Sequence, residues 1–181
     1  MDSKRATRAA LALALAAALA LSACAATPGS SDGSASSTSS PNASATMPAQ
    51  LEFTTTTLDG EPFDGASLSG KATILWFWAA WCPSCAADSK EILAAIPELP
   101  DGVQIIGVPT TADRASMQTF AEDFGITGLT NVVDEDGSIW AAFNIPQLPS
   151  TAMIYPDGYV ATLPGSLTKD QLLEIAAKIA P

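Results

Sequence analysis

The 181-residue sequence predicts an α/β fold: a central mixed sheet flanked by helices, with an N-terminal β-hairpin extension. Three observations carry that expectation. Ala72–Trp78 and Val103–Val108 are short, near-continuous apolar runs rich in β-branched and aromatic residues, the pattern of strands buried on both faces. The stretch from Pro83 to about Ile96 between them reads as a helix, so the unit is strand–helix–strand, with parallel strands and a right-handed crossover. Ala152–Tyr155 and Tyr159–Leu163 flank Pro156-Asp157-Gly158, which adds a terminal antiparallel pair.

The remaining elements fall in order around these. Leu51 to Leu58, the Asp59-Gly60 turn and Glu61-Pro62-Phe63 read as the leading hairpin. Met117, Phe120, Ala121 and Phe124 recur at i, i+3, i+4 and i+7, marking a second helix. Thr130–Val133 is expected as a short strand. The last helix begins at Thr168 and Gln171, spaced as a capping box, and sets Leu172, Ile175, Ala176 and Ile179 on one face. No internal repeat interrupts this order.

The N-terminus reads as an address. Lys4, Arg5 and Arg8 precede the apolar run Ala9–Leu21, and Leu21-Ser22-Ala23-Cys24 supplies small residues at a cleavage point. The run is shorter than the roughly 18 residues a spanning helix needs. The small residues ending in Cys resemble a bacterial lipobox, which implies a lipoprotein signal peptide over 1–23 and lipid attachment to Cys24. An ordinary secretory signal is the competing reading. Residues 24–49 are rich in Ser, Ala, Thr, Gly and Pro with one charge, Asp32, and read as a flexible linker. The folded domain is then 50–181.

Composition excludes several classes of function. A formal net charge of −11 argues against nucleic acid, whose binders cluster Lys and Arg. The absence of histidine removes Ser-His-Asp and Cys-His catalysis and every His-bearing metal site. Of the three cysteines, lipidation would take Cys24 and leave Cys82 and Cys85 as a pair.

Trp81-Cys82-Pro83-Ser84-Cys85 sits where the central strand ends and the helix begins. Unpaired N–H groups and the positive end of the macrodipole there favour the thiolate, which is the nucleophile. Pro83 suits the first turn, where its missing N–H costs nothing. Cys85, Ser89, Ile92, Leu93 and Ile96 share one helix face. Cys85 is therefore expected to be the buried resolving thiol, and Cys82 the exposed attacking one. Two cysteines without a partner pair cannot build a four-ligand zinc site. A purely structural disulfide would staple only a two-residue loop. No metal is expected, and no cofactor beyond the redox-active disulfide itself.

Leu75-Trp76-Phe77-Trp78-Ala79-Ala80-Trp81-Cys82-Pro83-Ser84-Cys85 and Pro149-Ser150-Thr151-Ala152-Met153-Ile154-Tyr155-Pro156-Asp157-Gly158 resemble the TlpA/ResA/DsbE-like branch of thioredoxin-like proteins. The match is nearest the secreted DsbE-like members of high-GC Gram-positive bacteria. The resemblance implies a thioredoxin-like fold and thiol–disulfide oxidoreductase activity. It also implies a cis peptide at Leu148–Pro149, in a loop beside the dithiol that lends backbone groups to substrate; Trp81 and Pro83 are the other expected substrate-binding residues. Asp88, three residues after Cys85, stands where ResA-like members carry an acid. At 100° per residue it falls about 60° from Cys85, on the flank of the buried face. There it reads either as a proton shuttle for Cys85 or as a solvated surface acid. Trp76 replaces the buried acid of cytosolic thioredoxins. It is expected in the core, with Trp78 and Trp81 packed around the dithiol or in the core as well. A peroxidase reading lacks any Pro-x-x-x-Thr-x-x-Cys arrangement.

The implied function is exchange of disulfides with exported cysteine-containing proteins, tilted towards oxidation. A membrane redox partner would recycle the pair, and a monomeric, extracytoplasmic cell-membrane lipoprotein is expected. A reductase supporting cytochrome c maturation and a non-catalytic binding module remain the alternatives.

Overall fold

The computed structural model describes residues 47–110 and 112–181. The expected signal over 1–23, Cys24 and all but the last residues of the expected linker lie outside the described residues. Among the described residues no helix is long and apolar enough to cross a membrane.

The chain runs β1 (Thr54–Thr56), β2 (Pro62–Asp64), β3 (Ala72–Trp78), α1 (Pro83–Ala95), β4 (Val103–Pro109) and α2 (Arg114–Asp123). It continues through α3 (Ser138–Ala142), β5 (Ser150–Ile154), β6 (Val160–Pro164) and α4 (Lys169–Ile179). β1 and β2 form the antiparallel hairpin, with Thr54 opposite Asp64. Its turn passes through Gly60 at φ +91°, a conformation that costs glycine nothing. The main sheet has the order β4-β3-β5-β6. β3 and β4 are parallel, while β5 runs antiparallel to both β3 and β6.

β3 is buried at all seven positions, and the strand period divides them between two cores. Ile74, Trp76 and Trp78 face α1, α2 and α4, where Ile92, Phe120 and Ile175 meet them. Leu75 and Phe77 face the other layer, with Leu51, Leu68, Ile139 and Phe143. Each side chain so buried contributes about 1.5–3 kcal/mol, so the strand that leads to the dithiol is firmly held.

The structure departs from the sequence reading in three places. Residues 130–133 form no regular strand; they make isolated bridges to β4 and to Thr57. The segment threads between two partners: Val132 N–H donates to the Gly107 carbonyl, and Val133 N–H donates to that of Thr56. Thr130, Val132 and Asp134 bond to β4, while Asn131 and Val133 bond to Leu58 and Thr56 on the other side. α3 was not expected. Its five residues are too few for a periodic signal, and the buried Asp134 carboxylate starts it by accepting the N–H groups of Ile139 and Trp140. On α1 the buried face is Cys85, Asp88, Ser89, Ile92 and Ala95, so Ile96 is left exposed and Leu93 only partly covered.

One buried polar group locks the C-terminal end of β3. Asn131 Oδ1 accepts the Trp78 indole N–H at 3.1 Å, and its Nδ2 donates to the carbonyls of Ile126 and Leu129. Gly107 lets the amide in, because a Cβ there would stand 2.1 Å from Asn131 Oδ1 and 2.9 Å from Trp78 Nε1. Replacing Gly107 by Ala should therefore cost about 1–3 kcal/mol in urea unfolding. At Gly128 a Cβ meets nothing within 4 Å. Gly128→Ala should stay within about 0.5 kcal/mol of the parent.

Candidate active site

α1 begins at a cysteine. Cys82 is the N-cap, with extended backbone at φ −99° and ψ 104°, and Pro83 occupies the first turn. The Cys85 N–H donates to Cys82 Sγ at 3.1 Å, so one of the helix's four orphan donors is spent on sulfur. The two sulfurs are joined as a disulfide, with Cα atoms 5.3 Å apart.

Cys82 is not the exposed thiol the sequence suggests: it is 5% accessible, against 0% for Cys85. The bond to a fully buried partner draws its sulfur inward, and both cysteines belong to the helix-side core that Ala80 and Leu148 cover. The order of access survives, since what exposure remains is at Cys82. Trp81 is 61% exposed, whereas Trp78 lies wholly in the core, stacked on Phe120 with ring centroids 4.6 Å apart. Trp76 is buried, as expected.

The Leu148–Pro149 peptide is cis. The register places it: Ser150 pairs with Phe77, so Pro149 comes level with the end of β3 just before the dithiol. Pro149 is buried and Leu148 half-buried. The Pro149 carbonyl accepts the Gly165 N–H at 2.9 Å, which ties the loop to the end of β6. Among the described residues the Leu148 N–H and carbonyl have no backbone partner, so both are available to an incoming chain.

Asp88 lies one turn beyond Cys85 and is buried, on the covered face of α1 rather than its flank. Burial pushes its carboxyl above the ordinary value of 3.8, and the charge of Glu91 adds to that. The Ser166 hydroxyl and the Trp76 indole work against the rise. Trp76 Nε1 is a buried donor with no hydrogen-bond partner. No arginine or second lysine stands on α1 with the dithiol; Lys90 is exposed five residues past Cys85. The helix end is left to stabilise a Cys82 thiolate, an effect of about 0.3–1 kcal/mol at a surface and up to ~2 where partly buried.

The structure thus gathers Trp81, Cys82, Pro83, Cys85 and Asp88 on the first half of α1, and sets Leu148 and Pro149 beside them. It adds a groove of about 620 Å³ along α2, walled by Ala80 and Trp81 and floored by Phe120 and Phe124. No residue motif announces it. A topological signal was present: parallel strands place ligands beyond their C-terminal ends, and the loop from β4 to α2 emerges beside that of β3.

The family model described as the AhpC/TSA family matches residues 47–163. The soluble secreted antigen MPT53 of Mycobacterium tuberculosis is 40% identical over 129 residues, covering 68% of this chain and 72% of its own length. The thiol-disulfide oxidoreductase ResA of Geobacillus kaustophilus is 30% identical over 132 residues, 72% of this chain and 75% of that one. Among solved structures, MTB DsbF in its mixed oxidised and reduced forms superposes with a TM-score of 0.68 at 36% identity, over 75% of this chain and 100% of its own.

The raised Asp88 value has a consequence for stability. The folded protein holds this proton more tightly than the unfolded chain does. Its stabilising share is therefore whole below 3.8 and is lost as pH rises through the folded value. Asp88→Asn should raise the thermal midpoint of the oxidised protein at pH 7, and the gain should shrink towards pH 4. An equal shift at both pH values would mean that the carboxylate is not buried as a charge.

Proposed function

The chain belongs to the AhpC/TSA family, with a thioredoxin-like fold, and is a thiol–disulfide oxidoreductase; on that premise we propose that it works outside the cytoplasm, oxidising exported cysteine-containing proteins through Cys82 and Cys85. The observation that carries the direction is the Cys85 N–H donated to Cys82 Sγ at the start of α1. It favours a Cys82 thiolate, and whatever stabilises the reduced pair makes its disulfide the stronger oxidant.

The cycle follows from which sulfur is accessible. A substrate thiolate attacks Cys82 Sγ, the Cys82–Cys85 bond breaks, and Cys85 leaves with the electron pair. Asp88, one turn away and holding its proton more tightly than an ordinary carboxyl, supplies that proton to Cys85. A second substrate thiolate then attacks its own sulfur in the mixed disulfide, and Cys82 departs as a thiolate held by the helix end. Substrate loses two electrons and two protons and gains a disulfide; the pair gains the electrons. The unpartnered Leu148 N–H and carbonyl would hold the substrate backbone across Pro149, with Trp81 and Pro83 as flanking surface. A membrane redox partner would re-oxidise the pair. Lipid on Cys24 would keep a monomeric domain near that partner at the cell membrane, in contrast to the soluble secreted relative. The same steps in reverse describe the reductase reading.

Equilibration of a Cys24→Ser chain against glutathione buffers, read by thiol trapping, tests the direction. The expected potential lies towards the DsbA end, about −120 mV; a value near that of thioredoxin, about −270 mV, would make the protein a reductant. Cys85→Ser should accumulate mixed disulfides on Cys82, and Cys82→Ser should accumulate none. In the native host, Cys24→Ser should move the protein from the membrane to the medium.

A further inference from the structure

The groove along α2 is not needed to hold a substrate cysteine at Cys82, yet it opens directly from Trp81. Its α2 side is made by Asp113, Ser116, Phe120, Asp123 and Phe124. These recur at helical spacing, so the groove follows one face of α2 from its N-cap to its last residue. At 1.5 Å per residue that run is about 15 Å long, the span of about four residues of extended chain. Phe120 and Phe124 lie ring to ring with centroids 4.6 Å apart, and give the groove an apolar floor towards its Asp123 end.

Its charge has one sign. Asp113 and Asp123 stand exposed at its two ends, and among the described residues no lysine or arginine lines it. The Asp113 carboxylate accepts both the N–H and the hydroxyl of Ser116, which hold it below the usual carboxylate range and therefore ionised. The net charge of −11 adds a field of the same sign and opposes a second copy of the chain at this surface.

We propose that this groove selects substrates, and that it takes extended segments in which a bulky apolar side chain and a lysine or arginine lie within about four residues of the reacting cysteine. The inference rests on the thiol–disulfide reading. The apolar side chain would pack between Trp81 and the Phe120–Phe124 floor, and the cation would sit opposite Asp123 or Asp113. Acidic cysteine segments would be turned away by the same field.

The test uses the oxidised Cys24→Ser chain and synthetic cysteine peptides that vary at two positions: Lys or Glu three residues from the cysteine, and Phe or Ala between. The rate of Cys82–Cys85 reduction is read by thiol trapping, with glutathione as a thiol that does not reach the groove. The Phe/Lys peptide should react about three- to tenfold faster than the Phe/Glu peptide at low salt, and the ratio should shrink at 1 M salt. Phe to Ala should slow the Lys peptide. Asp123→Lys, at a helix C-terminus where a cation is favoured and folding is not threatened, should invert the Lys/Glu preference. Equal rates for Lys and Glu peptides, or a preference that Asp123→Lys leaves unchanged, would overturn the groove assignment while glutathione still reduces the pair. Failure of glutathione and peptides alike would instead remove the redox reading beneath it. A concentration-dependent dimer broken by Asp123→Lys would give the groove to a second copy and overturn the proposal.

Discussion

One hydrogen bond organises the site: the Cys85 N–H donated to Cys82 Sγ at 3.1 Å. For it to form, a helix must begin within four residues of the end of a buried strand, and that end must not move. β3 supplies the strand, buried at every position and paired on both sides. Asn131 supplies the fixed end, by taking the Trp78 indole N–H and spending its own two donors on neighbouring carbonyls. A buried amide with every group satisfied is rigid, whereas a half-satisfied one would be a liability. Gly107 is the permissive partner, since any side chain there would displace the amide. The cis loop depends on the same strand, because its position level with the dithiol follows from the pairing of Ser150 with Phe77.

Much of this was legible in the residues. β3, the hairpin turn at Gly60 and the Thr168–Gln171 capping box were written in patterns whose physics is local. The Cys82 N-cap was legible for a similar reason, since strand end, Cys-Pro and an apolar helix face are contiguous in sequence. What escaped the reading depends on contacts between segments distant in sequence. Residues 130–133 carry strand-like residues, but which neighbour takes each backbone bond is decided by the hairpin and β4 together. Asn131 looks like a turn residue until Trp78, 53 positions away, is placed beside it. The burial of Cys82 is not legible at a helix start, which looks open in one dimension, because the core cluster it joins is assembled from distant segments.

Asp88 shows how a small rotation changes chemistry. A wheel drawn through Leu93 and Ile96 puts it on the flank; the helix instead turns Ala95 inward and Ile96 outward, which carries Asp88 under cover. A solvated acid would be a bystander. A buried one beside Glu91 holds its proton to higher pH, against the pull of the Ser166 hydroxyl and the Trp76 indole.

Energy scales show why that proton matters to the proposed cycle. The interval from thioredoxin to DsbA, about −270 to about −120 mV, corresponds to about 7 kcal/mol at 1.4 kcal/mol per 30 mV. A helix end acting on Cys82 supplies at most ~2 kcal/mol of that. No cation stands beside Cys82 on α1 to add to it, so a potential at the DsbA end would need the rest from the other sulfur. Cys85 is fully buried, and an isolated thiolate there would be costly in the low-dielectric core. In the proposed cycle a proton passed from Asp88 would leave Cys85 as a neutral thiol and move the charge to the Asp88 carboxylate, which two oxygens and the Ser166 hydroxyl hold better than a buried sulfur would. An Asp88 already ionised would raise the cost of the thiolate by placing a second negative charge one helical turn away. On the proposed reading the pair would be poised from both ends of the first turn of α1, with charge favoured at Cys82 and taken from Cys85, and that asymmetry between two chemically identical residues would give the exchange its order.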